Sequence, residues 1–184
     1  MPTIAEDVTG YWRHAGPAKW YTKDARFDQA LRLRFEAVHH AGARGEYDGW
    51  MGSADGSLAL LILFDQIPRN LFRGSAHAFA TDPKARLVAR NAILRDYDQQ
   101  IEPALVQFMY MPFEHSEDPA DQDLAVKLFE ALPPAAEGED PAKWAKIHKE
   151  IIDRFGRFPH RNAALGRVTT PEEQAFLDDG GFAG

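Results

Sequence analysis

The 184-residue chain contains no cysteine, which removes disulfides, thiolate nucleophiles and cysteine-ligated zinc together. It also lacks a basic excess. The formal net charge is -7, a field that repels a phosphate backbone, so nucleic-acid binding would demand a strongly segregated basic face and is not expected. The longest apolar run, residues 58–64 ("LALLILF"), is far too short to span a bilayer. The opening "MPTIAEDVTGYW" carries acids and no apolar run, unlike a secretory signal, and the expectation is a soluble cytoplasmic protein with no membrane partner. No serine stands in a nucleophile elbow, no glycine loop is built to cradle phosphate, and no dinucleotide fingerprint appears. The cofactor is left open.

What is present is an ordinary globular balance, 45% hydrophobic and 27% charged residues, of a length that suits one domain spanning 1–184. Helix signals recur and strand alternation does not. Phe27, Leu31, Phe35 and Val38 mark one face of a helix over about 24–43, closed by "AGARGEY". In "DPAKWAKIHKEIIDRFG" the residues Trp144, Ile147, His148, Ile151, Ile152 and Phe155 form a single stripe, and Gly156 stands where the helix should end. Aspartate-proline pairs at 82–83, 118–119 and 140–141 predict helix starts with the aspartate as cap, and "TPEE" at 170–173 predicts a capping box. The run "SLALLILF" is leucine-rich and continues into "DQIPRNLF", so it reads as a central buried helix that Pro68 breaks, throwing Arg69 and Asn70 into a turn.

"AFATDPKARLVARNA" has the look of a junction between two tetratricopeptide repeats, and Asp82 and Asp118 are 36 residues apart, close to the repeat of about 34. The repeat's Trp/Leu/Gly/Tyr positions are not visible. The expected fold is therefore all-α, degenerate tetratricopeptide-like hairpins packed into one compact domain.

Three stretches carry candidate chemistry. In "LFDQIPRNLFRG", Arg69 and Arg73 either pair with acids such as Asp65 or offer their planar forks to a carboxylate or phosphate, with Asn70 beside them. In "FMYMPFEHSEDPADQ", Glu114 or Glu117 next to His115 suits general acid–base work, with His115 as base; the same residues also suit helix capping. "FGRFPHRNAALGR", residues 155–167, packs Arg157, His160, Arg161 and Asn162 into an aromatic frame in which Phe158 anchors the loop, Pro159 fixes the backbone and Asn162 suits a positive φ. These donors either face a ligand or satisfy buried acids and carbonyls. His148, inside an apolar stripe, reads as a core histidine with one hydrogen bond. The spacings 115 to 148 and 148 to 160 match no compact ligand motif, so no metal site is assigned. "FDQIPRNLFRG" and "FGRFPHRNAALGR" also echo each other, either as two half-sites or by chance.

These stretches, with "AFATDP", "HKEIIDRFGRFPHRNAALGR" and "TTPEEQAFL", resemble an uncharacterised bacterial family, domain-of-unknown-function family 924, over about 20–182. The resemblance implies a tetratricopeptide-like all-helical fold and a shared site among the motif residues, and it supplies no reaction. The leading functional expectation is an Arg/Asn/His-lined pocket for an anionic small molecule or carboxylate-bearing peptide, built from Arg69, Asn70, Arg73, Arg157, His160, Arg161 and Asn162. The alternatives are a hydrolase or lyase using His115 with Glu114 or Glu117, and a helical interaction scaffold.

Overall fold

In the computed structural model, which describes residues 3–133 and 140–182, every regular element among the described residues is helical. The chain runs through α1 (Ile4–Ala15), α2 (Pro17–Trp20), α3 (Ala25–Ala43), α4 (Ala54–Leu61), α5 (Ile67–Leu71), α6 (Asp82–Leu94), α7 (Pro103–Glu114), α8 (Pro119–Glu130), α9 (Lys143–Phe155) and α10 (Pro171–Asp178). A π turn, Ile62–Gln66, joins α4 to α5, and 3-10 turns form several other connections. No helix among the described residues is long and apolar enough to cross a membrane. The chain divides into two compact units, residues 1–73 with 77–112 and residues 74–76 with 113–184, a division that length and composition do not announce.

The first unit is built around the apolar run. Residues 58–64 are fully buried, with α4 packed on α1 and α6, and α3 packed on α5 and the π turn. Gly42 lets α3 come this close, because a Cβ there would meet the Phe64 ring at 3.0 Å and Leu63 at 3.1 Å.

Pro68 does not break this helix. A proline inside a helix has no N–H to give, and its ring collides with the carbonyl four residues back, here that of Phe64. The chain answers by widening one turn: Ile67 N–H bonds to Ile62 O, five residues back, and the helix resumes with Pro68 in its first turn, where the missing donor costs little. The carbonyls released by the wide turn take side-chain donors instead. Thr81 Oγ1 donates to Phe64 O at 2.6 Å, and His39 Nδ1 sits 2.9 Å from Leu63 O. Arg69 and Asn70 therefore stay helical, in α5.

Caps follow the sequence in most places and fail for a physical reason in others. Asp24 caps α3, Asp118 caps α8, and Thr170 with Glu173 forms the capping box of α10. Gly156 ends α9 in the left-handed conformation at φ 67°. Asp82, expected to cap α6, is its first residue, and Thr81 is the N-cap; the Asp82 carboxylate is spent on Arg69. Asp140 accepts from Ala142 N–H at 2.9 Å, yet α9 itself begins only at Lys143.

In the second unit α8 packs on α9. Ile151, Ile152 and Phe158 form an apolar cluster with Ile147, Phe155, Phe176 and Phe182 packed against it. The predicted stripe of α9 is inward at His148, Ile151 and Ile152, while Trp144 at its first turn remains 54% exposed.

Candidate functional site

The first unit uses its candidate arginines as internal fasteners. Arg69 meets Asp82 through both terminal nitrogens at 3.0 and 3.1 Å, and approaches Asp65 at 3.1 Å. Asp65 is buried, and a carboxylate there is tolerable because a guanidinium and the Gln66 amide both serve it. Arg73 grips Asp28 with two nitrogens, and Asn70 Nδ2 donates to the same carboxylate at 2.8 Å. Arg69, Asn70 and Arg73 thus tie α5 to α6 and α3.

In the second unit Arg157 behaves alike. It forks onto Glu173 at 2.6 and 2.9 Å and donates to Val168 O. The hydrogen bonds from Arg157 hold the buried Glu173 carboxyl down at about 2. Asn162 does not adopt a positive φ; it is right-handed at φ -56° and donates to Glu173 Oε2 at 3.2 Å. Glu117, considered as the orienter of His115, is clamped by Arg167 at 2.8 and 3.0 Å and accepts the Phe158 N–H at 2.9 Å. Burial pushes the Glu117 carboxyl up, but Arg167, the Phe158 N–H and the nearby Arg161 charge together hold it below its usual range.

The residues that come together differently are Glu114, His115, His148, His160 and Arg161. α7 ends at Glu114, and Gln122 from α8, fully buried, donates its amide to the carbonyls of Glu114 at 2.7 Å and Ser116 at 2.6 Å. That fixes the turn carrying the glutamate. Glu114 Oε1 lies 3.1 Å from His148 Nδ1, with the two residues 4% and 5% exposed. His148 Nδ1 also lies 2.8 Å from Trp144 O, one turn earlier in α9. With two acceptors facing it, Nδ1 is placed to donate.

Aromatic rings surround the pair. His115 is 6.1 Å from His148 between ring centroids, Phe158 is 5.4 Å away edge-on, and Phe158 is 5.6 Å from His160. Phe182 is T-shaped to His148 at 4.5 Å and to His160 at 5.3 Å. Arg161 is 6% exposed, with its guanidinium carbon 4.4 Å from the Phe158 ring centre. The result is a carboxylate–imidazole pair, two more imidazoles and a guanidinium, clustered among aromatic rings. Among the described residues no three His, Asp or Glu side chains are grouped as a metal ion would need.

Residues 8–181 match the model of a family described as bacterial protein of unknown function (DUF924). The chain belongs to this family. It is also similar to the solved structure of a protein of unknown function, ATU0120, from Agrobacterium tumefaciens, at 48% identity and a TM-score of 0.90, over 96% of this chain and 97% of that one. No curated protein matches it.

In this member of the bacterial family, His148 is the side chain that sequence reasoning set aside. Its place in an apolar stripe is real, and so is its hydrogen bond, but the stripe turns it toward Glu114. The signal available was its occurrence with the other motif residues, since helical spacing alone cannot report a contact 34 positions away in the chain. Shape is no better guide here. Two concavities, of about 470 and 510 Å³, lie in the first unit against Trp50 and against His40, and neither includes a candidate residue.

Proposed function

We propose that the second unit carries a proton-transfer site of hydrolase or lyase type for a small anionic substrate. His148 Nε2 is the base, and Glu114 orients it. The observation that carries this reading is the 3.1 Å contact between Glu114 Oε1 and His148 Nδ1 in a buried setting. A carboxylate on Nδ1 fixes the tautomer and stabilises the imidazolium formed once Nε2 has taken a proton, which is how such pairs serve general base catalysis. The proton comes from water or from the substrate itself. His115 or His160, when protonated, returns a proton to the leaving group, and Arg161 supplies positive charge for the anion. His115 is thereby reassigned from base to acid, and Glu114 from partner of His115 to partner of His148. Arg69, Asn70, Arg73, Arg157 and Asn162 contribute by fastening helices rather than by holding ligand.

The test is a panel of carboxylate-bearing esters, amides, phosphoesters and β-elimination substrates, run with the parent, His148→Asn and Glu114→Gln. The Asn side chain keeps a donor near the Nδ1 position and removes Nε2, so turnover should fall by about 10²-fold or more with the fold intact, the usual share of a general base. Equal turnover in His148→Asn, or no turnover by the parent on any class, sinks the reading.

A further inference from the structure

The Phe182 ring carries no group for proton transfer, yet the sequence builds its seat with care. After α10, Gly180 takes φ 82°, and its N–H bonds to Leu177 O at 3.2 Å while Gly181 N–H bonds to Phe176 O at 2.9 Å. This pair of bonds is the Schellman helix ending, which needs a left-handed residue at its first position. At Gly181 the constraint is different. A Cβ there would lie 2.5 Å from both the Phe176 carbonyl oxygen and the Phe176 ring, so only glycine fits. The two glycines fix the direction of the chain up to the residue before Phe182.

The ring so delivered is bounded by π surfaces. It is T-shaped to His148 at 62° and to His160 at 78°, and tilted against Trp144 at 6.2 Å. Edge-to-face contact at these distances is the arrangement an aromatic ring prefers, and an aliphatic group gains less from it. Phe182 is half-buried and packs against the Ile151, Ile152, Phe158 cluster. It packs against the imidazole whose Nδ1 lies beside Glu114.

We propose that the Phe182 seat is a subsite for the planar aromatic group of an aryl carboxylate, and that Phe182 is a gate that occupies this subsite until ligand displaces it. The proposal deepens the proton-transfer reading by naming the substrate class, and it rests on that reading only for the carboxylate. An aryl ring in the seat inherits the contacts to His148, His160 and Trp144, and the attached anion is the substrate charge that the proton-transfer reading assigns to Arg161.

The test uses 4-fluorobenzoate as probe, followed by fluorine NMR and by the ring-proton shifts of His148 and His160, with acetate as the non-aromatic control. In the parent the gate competes with the probe. If the seat is vacant about one-tenth of the time, removing the gate in Phe182→Ala raises apparent affinity about tenfold. Phe182→Leu, which retains apolar packing, should give a smaller gain and serves if the alanine variant fails to fold. Acetate should show neither gain. Unchanged or weaker probe binding in whichever of the two variants folds, or shifts away from His148 and His160, overturns the proposal. Probe binding does not depend on turnover, and Glu114→Gln leaves the aromatic walls in place. A seat that binds the probe in an inactive protein therefore separates failure of the proton-transfer reading from failure of this one.

Discussion

Thr81 donates its hydroxyl to the carbonyl of Phe64 at 2.6 Å, the carbonyl left without a helical donor by Pro68 four residues on. Thr81→Val conserves shape and removes the donor, so a buried acceptor is left unsatisfied at a cost of about 1–3 kcal/mol. Thr81→Ser should keep most of the stability. Urea unfolding of the three proteins measures this, and a valine variant within about 0.5 kcal/mol of the parent, the spread of an ordinary neutral change, would show that the carbonyl is served otherwise.

The same corner shows which parts of the fold are legible in sequence. Periodicity and caps are local, so α3, α8, α9 and α10 can be read from Asp24, Asp118, the Trp144–Phe155 stripe and Thr170. The π turn cannot, because its stability depends on donors from Thr81 and His39, far away in the chain. The candidate site behaves similarly. Residue types leave Arg69, Arg73 and Arg157 open as ligand donors or as partners of acids, and which acid each one meets, Asp82, Asp28 or Glu173, is decided by packing. His148 was legible as a buried, bonded histidine and not as the partner of Glu114.

Glu173 links the 157–162 segment to α10 and makes stability depend on acid. Its carboxyl is held at about 2 in the folded chain by Arg157, then by the Thr170 N–H against the opposing effect of burial. The unfolded chain returns it to the ordinary value near 4.5. The unfolded state thus binds the extra proton between these values, so the contribution is complete above about 4.5 and is lost as pH falls toward 2. Glu173→Gln should flatten that slope by about one proton, because the amide cannot take up a proton there. Denaturant midpoints at a series of pH values decide it, and parallel slopes for the two proteins would contradict the assignment.

Gln122 is a positioning residue for Glu114. Its single amide nitrogen serves the carbonyls of Glu114 and Ser116, with a weaker contact to Phe113 O at 3.4 Å, and so closes the C-terminal end of α7. Gln122→Leu leaves those carbonyls buried without that donor, at about 1–3 kcal/mol. It should also move the His148 ring-proton signals at a single pH, because the carboxylate beside Nδ1 loses its fixed place. A purely structural role would lower stability and leave the His148 ring-proton signals, followed by NMR, as they are in the parent.

Gly181→Ala tests the delivery of Phe182 without touching the ring. The added methyl must clear the Phe176 carbonyl oxygen and ring, both at 2.5 Å from the ideal Cβ position, and the carbonyl is backbone that cannot swing aside. The cheapest relief is to open the turn after α10, which costs the Gly181 N–H its bond to Phe176 O and carries Phe182 off His148. Solvent then reaches the imidazole edge. Carbethoxylation of His148 by diethyl pyrocarbonate should be about tenfold faster than in the parent, matching a seat that goes from mostly filled to empty. Gly180→Ala is the control, since it strains a left-handed residue by about 1–2 kcal/mol without a steric collision. It should lower stability while changing the carbethoxylation rate less. Equal rates in the parent and Gly181→Ala would mean that the ring does not shield the base, and the gate would have to be abandoned along with the turn that was held to position it.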